Sequence, residues 1–353
     1  MASSADPDIL LVSLGTTLGW RVADRRFLDQ VKGAGASAAA VAVRLGWTGR
    51  LRRAYPVNDL VEMTAARRAL NAALRVHRPR AVVLSSSTAA MLAPPLEVPY
   101  AVRLDCPARL NRPGRRNALL HALERRALRR ARLTLPWTEA GRAALPPGAA
   151  PAVLVPPTVE PSGPHEEDGE AVAVAYVPDP KAKGLDVLVA GWASAGVAEE
   201  GARLRVYGLD PAWGRTHLER TGVPEPTGIE WPGMVRADEF RAALRRARVL
   251  AAAARWEDFG QAPLEALADG ALLATVPSGG AFEALRLARE LDPSLVAAAV
   301  EPVGLGQAIR GAFELPEERV RDYRRRAGEL LTPFRAEAVQ RTLAREVLPA
   351  LLG

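Results

Sequence analysis

Apolar residues fall along this chain in two alternating rhythms. Short unbroken runs at Ile9–Leu14, Ala39–Val43, Ala81–Leu84, Tyr100–Leu104 and Leu133–Leu135 read as buried strands. Between them the apolar positions recur at helical spacing over Asp24–Val31, Asp59–Val76, Asn117–Arg130 and Glu139–Leu145. In Asp59–Val76 the apolar side is formed by Leu60, Met63, Leu70 and Leu74. The pattern breaks at Pro146–Glu170, where Pro and Gly cluster and His165–Glu170 is polar, so the whole stretch reads as an interdomain connector. It then restarts. Strands are predicted at Ala171–Val177, Leu204–Tyr207, Val249–Ala252 and Leu272–Val276, with another ending in the turn Ile229–Val235. Helices are predicted at Leu185–Ala195, Asp238–Arg246, Ala262–Asp269 and Ala281–Arg289, and three more, Leu305–Phe313, Glu317–Leu331 and Ala336–Leu352, close the chain. Strands separated by helices predict βαβ units and parallel sheets. The expected organisation is two facing, doubly wound α/β domains, 1–160 and 171–335, joined by a linker at 161–170. In such sheets ligands sit at the C-terminal ends of the strands, so the expected site is the cleft between the domains.

Composition narrows the class. A chain of 353 residues is too long for one ordinary core. With 48% hydrophobic and 25% charged residues it reads as a soluble globular protein. There is no run of about 18 apolar residues. Met1–Pro7 is acidic where a signal peptide needs a basic flank, and the single Cys106 has no partner for a disulfide or zinc site. The expected location is the cytoplasm. A net charge of +7, carried mostly by arginine, suits anionic small substrates, a membrane surface or nucleic acid; biased composition is the plain alternative. Nucleic acid is disfavoured, since aromatics are only 5% and no binding module is recognisable. The segment Arg115–Arg132 sets seven arginines around Leu119, Leu120, Leu123, Ala127 and Leu128. That is either a basic amphipathic helix for anionic lipid, at the inner face of the membrane, or a core helix with its arginines in water.

The candidate chemistry lies in the second half. Glu257 and Glu265 stand eight positions apart, with Phe259-Gly260 between them and a helix start carrying the second acid. An acid on a loop accepts hydrogen bonds from hydroxyls, and a helix N-terminus attracts an anion. The plain reading of Glu265 is an acid placed for the helix dipole. Lys183-Gly184 opens the helix at Leu185, where a lysine can reach a phosphate, although Lys-Gly before a helix is commonplace. Gly208 ends a strand, Met234-Val235 follows another, and Gly279-Gly280 precedes Glu283 at a further helix start.

In order and spacing these pieces resemble the donor-binding domain of family 4 glycosyltransferases, retaining enzymes of the GT-B fold. The resemblance rests on Lys183-Gly184, Gly208, Gly233, Glu257 with Glu265, and Gly279-Gly280 with Glu283, over roughly 171–310. It is looser in the first half, through Leu14-Gly15 and the strand reaching Asp105. The closing segment 336–353 is similar to the helix that crosses back to the first domain. Two departures stand out. Pro178 occupies the position where the family carries an arginine that grips the diphosphate with the lysine, so Lys181 or Arg255 is left to supply that charge. Pro156-Pro157-Thr158 also replaces the usual Asn-Gly linker.

The resemblance implies a nucleotide-diphosphate sugar donor, UDP- or GDP-linked, held by the second domain, and a glycan, lipid-linked or small-molecule acceptor on the first. It implies no cofactor and no metal, because Lys183, Lys181, the Gly15 loop and the helix start after Gly279-Gly280 stabilise the departing diphosphate. Glu265 would bond the ribose hydroxyls. Glu257 and the amides at Phe259-Gly260 would orient the sugar, and backbone at Met234 and Val235 would meet the base. Asp105 is the first-domain acid expected at the site, beside the alternative that it merely caps a turn. His77 and His121 read as partly packed side chains without a chemical role. A non-hydrolysing epimerase is disfavoured by the paired glutamates. A binding protein that kept the scaffold without catalysis remains the alternative, and Pro178 is its support.

Overall fold

The computed structural model describes residues 6–15, 18–45, 57–166 and 171–353. Residues 1–5 of the stretch Met1–Pro7 and the last four residues of the polar segment, 167–170, lie outside the described residues. Two compact units divide the chain: 6–158 with 334–353, and 159–333.

In the first unit five parallel strands, β1 (Ile9–Ser13), β2 (Ala38–Ala42), β3 (Ala81–Leu84), β4 (Tyr100–Leu104) and β5 (Leu133–Pro136), lie in the order β2-β1-β3-β4-β5. Alternate residues of β1 serve opposite faces. Ile9 and Leu11 pack with Phe27 and Val31 of the helix Leu18–Gly33 and with Val339, Leu343 and Leu351 of the chain's last helical stretch. Leu10 and Val12 pack with Leu70 of Val57–Val76 and Leu128 of Ala118–Arg130. Both faces are covered, which is why the strands read as continuous apolar runs.

Three expectations need correction here. Leu60 is 56% exposed, because the buried face of its helix is drawn by Ala66, Leu70 and Ala73, which meet the sheet, and by Met63, which packs with Met91, Ala108 and Leu120. Leu119 is 75% exposed, on the opposite side of its helix from Leu120 and Leu128. Residues 151–155 are no loose linker: they run beside β5, with Thr134 N donating to Pro151 O at 2.9 Å and Val155 N to Pro136 O at 3.0 Å.

In the second unit β6 (Val172–Tyr176), β7 (Arg203–Tyr207), β8 (Ile229–Gly233), β9 (Val249–Ala252) and β10 (Leu272–Thr275) are all parallel, in the order β10-β9-β6-β7-β8. The winding reverses between β6 and β9, and in doubly wound sheets that reversal opens a crevice at the strands' C-terminal ends. The helix Leu185–Ala195 follows β6 and buries Leu188 and Trp192. The helix after β10 begins at Glu283 rather than Ala281, since Gly279–Phe282 are spent in a loop. Among the described residues no helix is long and apolar enough to cross a membrane.

Candidate functional site

Three loops leave the C-terminal ends of β6, β9 and β10, and backbone bonds knit them together. In the first, the Asp179 carboxylate accepts from Lys181 N and Ala182 N, both at 2.9 Å, an Asx-type turn that brings the chain round to Gly184. Gly184 sits at φ +63°, and a Cβ there would lie 2.1 Å from Ala253 O, so only glycine lets the β9 loop close on the helix start. Arg255 N then donates to Ala182 O at 3.1 Å, and Gly279 N to Arg255 O at 3.2 Å. Glu257 N donates to Gly279 O at 2.9 Å, with Gly280, at φ +103°, so near that a Cβ would reach 2.3 Å from Glu257 O.

This scaffold places Lys183 against Glu257. The ammonium and the carboxylate form a close ion pair across the reversal point, with side chains 24% and 18% exposed. The N-terminus of Leu185–Ala195 follows Lys183 directly, and that of Gln261–Ala268 follows Gly260. One cation, one carboxylate and two helix N-termini at strand ends form a place for an anion joined to hydroxyl groups.

Arg255 is not available to replace the arginine that Pro178 displaces, as the structure stands. Its guanidinium forks onto Asp186 at 3.0 and 2.6 Å and donates to Lys181 O at 3.1 Å. Burial pushes the Asp186 carboxyl up, but the Arg255 bonds and charge prevail and hold it below its ordinary value; the same bonds raise Arg255. Sequence reading missed Asp186 as the partner that settles this, because the two residues are 69 positions apart. It also missed His217, whose Nε2 lies 3.8 Å from Asp186 Oδ1.

The remaining residues are distributed as follows. Glu265 lies on the helix after Gly260, where Oε1 accepts from Gln261 Nε2 at 2.7 Å and faces Arg241 at 3.7 Å. Its charge adds to burial in raising the Tyr176 hydroxyl pKa. Phe259 is buried, so its ring is core, and Gly260 lies against the Phe282 ring. Lys181 is exposed. Met234 is 81% exposed just past β8, with Val235 half-buried beside it.

Gly15 and Asp105 belong to the first unit. Gly15 follows β1 at φ +51°, its carbonyl accepting from Arg21 Nη1 at 3.2 Å. Asp105 follows β4, and Oδ1 accepts from Cys106 N at 2.7 Å, so a turn-capping role is present in the geometry. Beneath them Arg103 and Asp24 form a buried pair at 2.6 Å, with Ser13 Oγ donating to Asp24 at 2.6 Å. The Arg103 guanidinium lies 4.2 Å from the Phe27 ring centre and 5.3 Å from that of Trp137. His121 Nε2 bonds Arg112 O at 2.9 Å, the contact of a partly packed side chain.

Residues 170–314 match the profile of a family described as "Glycosyl transferases group 1". No curated protein matches the chain. Solved structures share the fold across nearly the whole chain. Sucrose-phosphate synthase from Thermosynechococcus elongatus superposes with a TM-score of 0.76 at 16% identity, over 97% of this chain and 99% of that one. HepE from Anabaena, solved in complex with UDP-glucose, gives 0.70 at 14%, over 98% and 100%. WaaG, a glycosyltransferase involved in lipopolysaccharide biosynthesis, gives 0.67 at 15%, over 95% and 98%. At these identities the likeness carries the GT-B fold.

Proposed function

We propose, on the premise that this chain is a glycosyltransferase carrying the group 1 domain in its second unit, that it transfers a sugar from a UDP- or GDP-linked donor with retention of configuration. The observation that carries this reading is the Lys183–Glu257 pair at the point where the second sheet reverses. A diphosphate arriving there takes the ammonium and the amides of the helix that begins at Leu185. Glu257, released from the lysine, turns to the sugar hydroxyls. As the glycosidic bond breaks, negative charge gathers on the departing diphosphate, where Lys183 and the helix start meet it with little reorganisation. Glu265 receives the ribose hydroxyls, and backbone at Met234 and Val235 meets the base. Gly260, Gly279 and Gly280 keep the loops thin enough for the sugar and phosphates to approach backbone, and Lys181 adds positive charge at the exposed edge.

The acceptor, a glycan, a lipid-linked sugar or a small molecule, falls to the first unit, with Gly15 and Asp105 at its strand ends. Arg125, Arg126, Arg129 and Arg130 are exposed, as is Leu119, which favours an anionic membrane surface in the cytoplasm as the place of work. Changing the four arginines to glutamate is expected to abolish sedimentation with anionic vesicles at low salt; unchanged sedimentation removes the membrane from the reading.

Calorimetric titration with UDP, GDP and ADP tests the whole. One nucleotide is expected to bind in the micromolar range, and Lys183→Ala to weaken it by about 100-fold, a cation removed from a charge-assisted contact. A folded protein that binds none of the three sinks the donor reading. A second reading, binding without transfer, is favoured by Arg255 being locked on Asp186. Tight nucleotide binding without any release of free sugar from the donor would decide for it.

A further inference from the structure

Glu265 is held by more than its own helix. Gln261 Nε2 donates to Oε1 at 2.7 Å, and from the helix Ala237–Arg246 Arg241 brings Nη1 to 3.7 Å from the same oxygen. The rest of that guanidinium is committed elsewhere. Nε donates to Asp269 Oδ2 at 2.6 Å, and Nη2 donates to Asp269 Oδ1 at 2.8 Å and to the Glu160 carbonyl at 2.7 Å. Asp269 is fully buried one turn beyond Glu265, where it also accepts from Ser162 N at 2.7 Å and Ser162 Oγ at 2.9 Å. Burial draws the Arg241 pKa down, but the Asp269 bonds and the charges of both acids outweigh it and leave it above its ordinary value.

We propose that Arg241 is a positioning residue for recognition of the nucleotide ribose: its fork on Asp269 fixes the guanidinium so that Nη1 sets the orientation of the Glu265 carboxylate. The inference rests on the reading of Glu265 as the ribose contact. Two acids four positions apart on one helix are served by one planar cation, two of its nitrogens locked on the buried acid and the third aimed at the partly open one. Lysine has no such fork, and a point charge drawn to Asp269 would support Glu265 with its field alone, without fixing the carboxylate's orientation. The role extends beyond the helix, since the same guanidinium grips Glu160 O at the start of the second unit.

The readout is the preference for a ribose over a 2′-deoxyribose ring. UDP, GDP and ADP are each titrated against their 2′-deoxy counterparts, and the base that binds is carried forward. The wild-type protein is expected to favour the ribonucleotide about tenfold, the worth of one charge-assisted hydrogen bond. Glu265→Ala erases that preference. Arg241→Gln brings it to within about twofold of unity, and Arg241→Lys leaves it in between. Arg245→Gln, which breaks neighbouring contacts to Ser162 and Glu166 without facing Glu265, keeps it.

Loss of preference in Glu265→Ala but not in either Arg241 variant overturns the inference and leaves the ribose reading standing. Loss in Arg245→Gln as well assigns the effect to the lead-in segment and also overturns it. A wild-type protein without preference, or Glu265→Ala retaining it, defeats the ribose reading itself. If Arg241→Gln does not fold, Arg241→Lys decides: full preference counts against the inference, a reduced one for it.

Discussion

The two units wind the same kinds of strand and helix, yet they treat charge in opposite ways. In the first, charges are driven inside. Burial raises Asp24 and Glu124 and lowers Arg103, so each is held against its ionised form despite its partners. In the second, pairs favour ionisation: after β6, Arg255 outweighs burial to lower Asp186 and is itself raised by it, and on the helix Ala237–Arg246 Arg241 is raised by its acids. The first arrangement locks an architecture. The second keeps two partly open pairs, Lys183 with Glu257 and Arg255 with Asp186, at the place where the sheet reverses.

The largest effect expected from breaking this contrast is in the first unit. Arg103→Ala leaves Asp24 buried without its cation and is expected to cost about 3–5 kcal/mol of stability by urea titration, with nucleotide affinity of the folded protein unchanged. An equal loss of nucleotide affinity would show that the two kinds of charge are not separable. A smaller effect belongs to the second unit. Asp186→Asn loosens Arg255 and is expected to tighten nucleoside diphosphate binding roughly fivefold, about 1 kcal/mol, with a steeper salt dependence. Unchanged affinity at both low and high salt would mean that the Lys181 carbonyl alone keeps Arg255 in place.

The smallest effect is a change in the shape of a pH curve. Glu124 accepts from Ala108 N with both oxygens, but burial dominates and raises its pKa. A raised carboxyl contributes stability in full below its unfolded value, near 4.5, and loses it as the pH climbs through the folded one. Glu124→Gln removes that dependence, so melting temperatures of variant and wild type should move in the variant's favour from pH 4 to 7. A constant gap across that range would remove burial as the controlling cause.

Much of the framework could be read from the chain because most strands are apolar runs; β7 and β8, which carry Arg203, Arg205, Glu230 and Pro232, are the exceptions. Leu185–Ala195, bounded by Gly184 and Gly196, and Val249–Ala252, preceded by Arg248, match their expected limits. Ser87–Met91 and Ala108–Asn111 are too short to show a helical period and were missed. Pro211–Thr221 was missed although Asp210, which accepts from Ala212 N, and Pro211 form a helix-start signature. Strand order was not legible: periodicity identifies strands but not on which side each crossover lays the next, and here the two sheets differ. The helix-borne site shows the same limit. Lys183 and Glu257, which the structure brings together, stand out through the spacing of the loops around them, whereas Arg241 belongs to no motif. One signal was available: Arg241 and Arg245, four apart on one helix, precede Glu265 and Asp269, four apart on the next.

If a nucleotide sugar is the donor, as proposed, the ion pair of Lys183 with Glu257 makes the site selective. A lone ammonium at a helix start would collect whatever phosphate the solution holds. Here the lysine already has a resident counterion, so a newcomer must evict a carboxylate before it gains anything. Inorganic phosphate offers only a like-for-like exchange and has nothing with which to occupy the displaced acid. A nucleotide sugar brings phosphate for the lysine and hydroxyls for the glutamate in one molecule, and so recovers both halves of the pair it breaks. On the proposed reading the carboxylate is a placeholder, and the exchange favours a ligand that carries both parts.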